Sequence, residues 1–184
     1  MTLWWRRAIM DKAFVHIYTG NGKGKTTAAL GLALRAAGAG MRTLLIQFMK
    51  GSFPYREYKS LELLSEWIDV ERFGTDKFVI EKRKATEDEC REISAGLSRV
   101  RRAFDEHSHD IVVLDEVCVA VYFGVVQAEE VIKLIKNRPA DIELILTGRY
   151  CPEEWYDLAD LVTEMKEVKH YYAQGILSRP GIDS

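Results

Sequence analysis

Apolar and polar positions along this chain switch repeatedly between the period of a strand and that of a helix. Residues 13–18 (AFVHIY) form a short apolar-rich run and read as a strand. A Gly-rich turn follows. Residues 25–39, rich in Ala and Leu, read as a helix that Gly38 and Gly40 stop. Residues 42–48 (RTLLIQF) read as a buried strand. Over 55–67, Tyr58, Leu61, Leu64 and Trp67 fall at helical spacing, and 68–73 reads as a short strand. Thr86 and Glu89 form a T-x-x-E capping box, the start of a helix running to about residue 106. The continuous apolar centres of 110–115 (DIVVLD) and 141–147 (DIELILT) predict two more strands. Pro152 suits the first turn of a short helix through about residue 159, and 161–168 reads as a last strand. Residues 117–126 are β-branched and favour a strand locally. They follow directly on Asp115-Glu116, so they are read as a helix broken near Gly124.

Strands alternating with helices predict an α/β fold: a mostly parallel sheet with helices on both faces. Such folds bind ligands beyond the carboxyl ends of their strands. No repeat, low-complexity tract or linker interrupts the pattern. Residues 1–184 therefore read as one α/β domain, with 1–12 a loosely attached N-terminal segment. A chain of 184 residues buries enough surface to need no disulfide or structural metal. With 47% hydrophobic and 29% charged residues, the balance is that of a globular chain rather than a disordered one.

Charge and cysteine usage narrow the function. The 26 basic and 28 acidic residues leave a net charge of −2, which argues against a broad sequence-independent nucleic-acid surface. Cys90, Cys118 and Cys151 form no CxxC pair, so a zinc ribbon, a thioredoxin-type motif or a disulfide framework is not expected, and a reducing cytoplasm is. The start of the chain lacks the apolar core of a secretory signal. The longest apolar run, 117–126, falls short of the roughly 20 residues that cross a bilayer.

The turn after the first strand reads Thr19-Gly20-Asn21-Gly22-Lys23-Gly24-Lys25-Thr26-Thr27. Against G-x-x-x-x-G-K-[ST] it matches at Gly24, Lys25 and Thr26, with Thr19 in place of the first Gly. The required strand precedes it and the required helix follows. Glycines at 20, 22 and 24 let backbone N–H groups turn around an anion, and the helix beginning near Lys25 points its positive end there. Lys25 supplies a mobile cation, and Thr26 a hydroxyl for Mg²⁺. The plain alternative is a flexible Gly/Lys turn without a ligand.

A second motif, Ile111-Val112-Val113-Leu114-Asp115-Glu116, sets a carboxylate at the carboxyl end of a strand, near that Mg²⁺. The alternative is a core strand whose Asp caps the next helix. Arg149, in Thr147-Gly148-Arg149 after another strand, can reach a triphosphate with two hydrogen bonds; otherwise it is a solvated loop residue. His16, His107, His109 and His170 show no metal-ligand spacing, and His107 and His109 read as a solvated helix end. No Ser–His–Asp or Cys–His set is apparent along the chain.

These residues resemble the ATP:corrinoid adenosyltransferases, the cob(I)alamin or cob(I)yrinic acid a,c-diamide adenosyltransferase family with a RecA-like P-loop NTPase fold. The resemblance is closest over 15–51, in YTGNGKGKTTAALGLALRAAGAGMRTLLIQFMKG. It continues at 71–78, 111–116, 146–149, 157–165, 168–170 and 179–183. The loop variant followed by Gln-Phe-x-Lys-Gly is far more specific than a generic phosphate loop. The resemblance implies transfer of the 5′-deoxyadenosyl group of ATP to a Co(I) corrinoid with release of triphosphate. Such a reaction needs position and charge stabilisation rather than a general base.

On that reading Gly20–Thr27 hold the phosphates and Lys25 neutralises charge on the leaving group. Thr26 and Asp115 or Glu116 hold Mg²⁺, with Glu116 alternatively at the ribose. The aromatics Phe48, Phe53, Tyr55, Phe73 and Phe78 lie in or beside predicted loops and are candidates to face the flat corrin, each with core packing as its alternative. Loop 74–79 (GTDKFV) departs from the family's glycine-aromatic pattern with Asp76 and Lys77. The resemblance also implies a homodimer, with Trp4 and Trp5 as candidate contacts, and a flavin-type reductase as electron donor.

Two other enzyme classes share parts of this pattern. A RecA-like ATPase uses an Asp-Glu pair in which the Glu polarises water, but the acidic net charge argues against a large DNA surface, leaving room for a small basic patch alone. A small-molecule kinase favours an Arg-rich lid. Arg99, Arg101 and Arg102 come nearest to one, within the capped helix.

Overall fold

The computed structural model describes residues 12–51, 56–81 and 83–183. Trp4, Trp5, Phe53 and Tyr55 lie outside the described residues. Six strands form the sheet: β1 (Val15–Thr19), β2 (Thr43–Phe48), β3 (Ile68–Phe73), β4 (Ile111–Asp115), β5 (Glu143–Thr147) and β6 (Leu161–Glu164). Their order is β3-β2-β4-β5-β1-β6 and every pairing is parallel. Parallel pairing needs a crossover after each strand. The register sets Gln47 beside Asp115, Tyr18 beside Thr147, and Thr19 beside Glu164. The carboxyl ends of β1, β2, β4, β5 and β6 therefore finish at one rim, which is where such sheets bind ligands.

Alternation along the strands divides the core in two. Leu44, Ile46 and Phe48 of β2 and Val112 and Leu114 of β4 face one cluster, packed with Ile93, Leu97 and Val100. Leu45, Val113 and Ile145 point to the other, against Ala29, Ala33 and Ala36. The second layer is α1 (Lys25–Gly38), whose alanines let it lie close to the sheet, with α2 (Glu57–Glu62). On the first face, after a short α3 (Lys77–Ile80), come α4 (Glu87–Glu106), α5 (Val117–Tyr122) and α6 (Ala128–Asn137). The predicted α/β fold with helices on both faces is observed.

Local signals that proved sufficient are the caps. The Thr86 hydroxyl accepts from the Glu89 backbone N–H at 3.3 Å, and the Glu89 carboxylate accepts from the Thr86 N–H at 2.8 Å. Segment 117–126 is helical through Tyr122 and breaks at Gly124, whose φ is 70°. There the connection to β4 overrides β-branched propensity. Other elements differ from expectation. The helix expected over 55–67 ends at Glu62, because Leu63 onward turns to bring Ile68 into the sheet; the Trp67 and Ile68 N–H groups both donate to Leu64 O. Helix α6 was not read from the sequence, although Val131, Leu134 and Ile135 have the spacing of one buried face. Pro152 precedes a 3₁₀ helix, Glu153–Leu158, rather than sitting inside an α-helix. Strand β6 stops at Glu164, four residues early, because Met165 turns across the phosphate loop.

His109 is a correction. It is buried rather than solvated: its Nε2 lies 2.8 Å from Asp69 and its Nδ1 2.9 Å from Ser108 Oγ. Burial lowers its pKa while Asp69 works the other way. This Ser–His–Asp contact is invisible along the chain because Asp69 is 40 residues away. It joins the amino ends of β3 and β4, opposite the ligand rim, and Asp69 is also bound to Arg42 at 3.0 Å. It ties strands together. His107 does end α4, exposed, in the left-handed conformation.

Candidate active site

The turn after β1 closes tightly. Gly20 has φ 93° and Gly24 φ 117°, conformations that glycine adopts without steric cost. Gly22 is required for a different reason. A Cβ there would lie 2.6 Å from Met165 O, to which its N–H also donates at 2.6 Å, so this amide is turned to the segment after β6 and not to an anion. Thr19 is buried in β1, Lys25 begins α1, and Asn21, Lys23 and Thr27 face solvent. Lys25 is buried, and its Nζ donates to Gly20 O at 2.7 Å and Gly22 O at 2.8 Å. Burial lowers its pKa, and Glu116 and Asp115 oppose that shift. The ammonium is therefore held at the loop in an environment that favours an incoming anion.

Asp115, at the end of β4, is wholly buried and is the hub of the site. Its Oδ1 accepts from Thr26 Oγ1 at 2.9 Å and from Thr147 Oγ1 at 2.7 Å. Its Oδ2 accepts from Gln47 Nε2 at 3.1 Å and lies 3.0 Å from Lys50 Nζ. Tyr58 OH in turn donates to Gln47 Oε1 at 2.5 Å. Side chains from β2, β5, α1 and the turn after β2 thus converge on one carboxylate of β4, which offsets the cost of burying it. Glu116 follows with φ 63°, its N–H donating to Thr147 Oγ1 at 3.0 Å. Burial and the neighbouring Asp115 raise the Glu116 pKa, against the pull of Lys50, Lys25 and Arg149. Met49 (φ 58°) and Tyr150 (φ 59°) are likewise left-handed just beyond β2 and β5. Backbone strain of this kind collects at functional sites, and here it rings one rim.

A cleft of about 740 Å³ opens over this rim. Gly22, Gly24, Lys25, Thr26, Lys50, Glu116 and Arg149 line it from below, and the C-terminal residues His170, Tyr171, Tyr172 and Ile176 from the side. The structure thus brings Lys25, Thr26, Asp115, Glu116 and Arg149 together at this rim. Beside the cleft lies a pocket of about 220 Å³, walled by Phe48, Met49, Val79, Val119 and Phe123, with Lys50, Asp76 and Glu116 at its polar edge. The aromatic expectations need correction. Phe48 and Phe78 are core residues, 0% and 2% exposed, and Phe73 is partly buried on the same core. The rings of Phe48 and Phe73 face Gly96 of α4, because their side of β2 and β3 is the one that α4 covers. Phe48 reaches the smaller pocket only as part of its floor. Exposed aromatics at this rim include Phe123, Tyr122, Tyr150 and Tyr172, with Tyr122 and Tyr150 stacked at 4.1 Å. Arg99 and Arg101 are tied to Glu71 and Glu130, so they form no lid over the cleft.

The family model described as ATP:corrinoid adenosyltransferase BtuR/CobO/CobP matches residues 11–184. The chain belongs to the ATP:corrinoid adenosyltransferase family. Its relatives in that family include a corrinoid adenosyltransferase of Escherichia coli, 35% identical over 94% of this chain and 86% of its own length. Corrinoid adenosyltransferase CobA of Salmonella typhimurium is 36% identical over the same shares. A corrinoid adenosyltransferase of Pseudomonas aeruginosa is 31% identical over 94% of this chain and 84% of its own. The sheet and phosphate loop are those of a P-loop NTPase-like fold, as the family has.

Sequence reasoning missed several residues that this family member gathers at its rim. Gln47 and Lys50 lay inside a quoted motif with no role attached. Thr147 read only as the neighbour of Arg149. The C-terminal residues from His170 to Asp183 line the cleft through contacts that no periodicity announces.

Proposed function

We propose that the phosphate loop and Arg149 hold the triphosphate of ATP in the large cleft while a Co(I) corrinoid lies against the smaller pocket. The enzyme then moves the 5′-deoxyadenosyl group from ATP to the corrinoid, in cobalamin biosynthesis or salvage. The electron pair on cobalt attacks C5′ and a cobalt–carbon bond forms. The C5′–O bond breaks, and its pair leaves on triphosphate. No proton moves in this step, so it asks no general base of the site. What supports this reading is the adjacency of an anion-binding cleft and an apolar pocket that share one edge.

Thr26, Asp115 and Glu116 supply the hard oxygen donors that Mg²⁺ takes. When bound, Mg²⁺ neutralises phosphate charge. Thr26 and Asp115 are already joined, so this chain offers the pair in place.

The reading includes a flavin-type reductase as electron donor and a homodimer, both carried by the family resemblance, and a cytoplasmic setting, carried by the cysteine usage. The free thiols Cys90, Cys118 and Cys151 suit a reducing compartment. Among the described residues, no helix is long and apolar enough to cross a membrane.

Lys25→Ala tests the phosphate loop. Ala is at least as good a helix former, so circular dichroism should be unchanged. Turnover should fall about 10²–10³-fold, the usual loss for a preorganised donor to developing charge. Near-normal turnover would remove the loop from this account.

A further inference from the structure

Two residues, Lys50 and Glu116, line both the large cleft and the smaller pocket. If ATP occupies one and the corrinoid the other, C5′ must stand where they meet, because it is the atom that changes partners. The oxygen that leaves C5′ is bonded to it and stands at the same junction. Negative charge grows on that oxygen as the bond breaks. Glu116, as a metal-binding carboxylate in the function proposed above, brings negative charge to that point rather than offsetting it. Lys25 is held at the loop by the Gly20 and Gly22 carbonyls. Lys50 is the cation at the shared edge.

We propose that Lys50 is a catalytic residue of the adenosyl transfer, its ammonium group meeting the oxygen that leaves C5′. The inference rests on the function proposed above. Several features prepare Lys50 for the task. The left-handed Met49 (φ 58°), whose N–H is fixed to Phe73 O at 3.0 Å, turns the chain at the end of β2 and sets where Lys50 begins. Its side chain is only 11% exposed, 3.0 Å from Asp115 Oδ2 and 3.8 Å from Glu57 Oε1. Two carboxylates, Asp115 and Glu57, thus flank the ammonium group at the cleft edge. A low-dielectric site also strengthens its attraction for a departing anion. The four-carbon stem lets Nζ move from Asp115 to a substrate oxygen without moving the backbone.

The test compares Lys50→Met and Lys50→Arg with the wild type. Calorimetry measures Mg–ATP affinity without corrinoid. A single-turnover assay with chemically reduced corrinoid measures cobalt–carbon bond formation. Lys50→Met should slow the single turnover about 10²–10³-fold while shifting ATP affinity less than about threefold, and binding itself reports an intact fold. Lys50→Arg should recover at least about tenfold by restoring the charge. An unchanged single-turnover rate in Lys50→Met would overturn the proposal. So would a loss confined to ATP affinity, which would make Lys50 only a partner of Asp115. A wild type that forms no triphosphate would sink the adenosyl-transfer reading along with it; a wild type that does, beside an equally active Lys50→Met, sinks the Lys50 role alone.

Discussion

Gly22 and Met165 are joined by a 2.6 Å hydrogen bond from the glycine N–H to the methionine carbonyl, and a Cβ on Gly22 would lie 2.6 Å from that same oxygen. Met165 returns the tie by donating its N–H to Thr19 O at 2.8 Å. The chain leaving β6 therefore clamps the phosphate loop against the sheet. Gly22→Ala should cost about 1–3 kcal/mol, since backbone rather than a flexible side chain must give way. That corresponds to a melting temperature lower by roughly 3–10 °C for a chain of this size. Gly31→Ala is the control. Gly31 lies within α1 with nothing within 4 Å of an added Cβ, so the same change should stabilise by about 0.5–1 kcal/mol. Thermal denaturation of both variants checks the sign; equal shifts would refute the clamp.

Glu116 makes a pH-dependent prediction. Its pKa in the folded chain is raised above the ordinary 4.5 by burial first and Asp115 second. Folding therefore favours the protonated carboxyl. That contribution is complete below the ordinary value and is lost as pH rises through the raised one. Gln cannot ionise. Glu116→Gln should melt higher than the wild type at pH 8, by a few degrees, and converge with it near pH 4. The same variant should lose activity. Melting curves at the two pH values are the measurement, and a variant less stable at pH 8 would show that Glu116 is held by its cations instead.

The loop, its strand and the Asp115-Glu116 pair were legible because their chemistry depends on neighbours in sequence: Gly24, Lys25 and Thr26 work as one turn. Strand periodicity likewise revealed most of the sheet, and Thr86 with Glu89 revealed the start of α4. What stayed hidden depends on contacts between distant segments. Nothing near Met165 shows that it will lie over Gly22, and nothing near His109 shows Asp69 beside it. The core positions of Phe48 and Phe78 stayed hidden for a related reason. A strand-end aromatic looks the same in sequence whether its side of the sheet faces a helix or a ligand. Lys50 was in plain view as part of a motif, but its role needs Asp115, 65 positions further along the sequence.

The aromatic correction has its own test. Phe78 is 2% exposed and meets Phe123 edge-on at 6.2 Å, whereas Phe123 is 42% exposed and lines the smaller pocket. Phe78→Ala should destabilise by about 3–5 kcal/mol, with equal losses whether the corrinoid is supplied as Co(II) or as Co(I). Phe123→Ala should change stability by no more than about 0.5 kcal/mol and raise the corrinoid KM. Denaturation curves and steady-state assays on the two variants separate the roles; a stable Phe78→Ala with a raised corrinoid KM would return Phe78 to the binding surface.

The central claim is that C5′–O, not a phosphoanhydride, is the bond that breaks. Phosphorus NMR of the products, followed beside the visible spectrum of the corrinoid, reads this directly. With ATP, Mg²⁺ and a Co(I) corrinoid, the account predicts intact triphosphate in equal amount to a light-sensitive adenosylated corrinoid, with very slow ATP hydrolysis when corrinoid is omitted. ADP and phosphate formed without corrinoid, at a rate raised by DNA and with no cobalt–carbon bond, would contradict it.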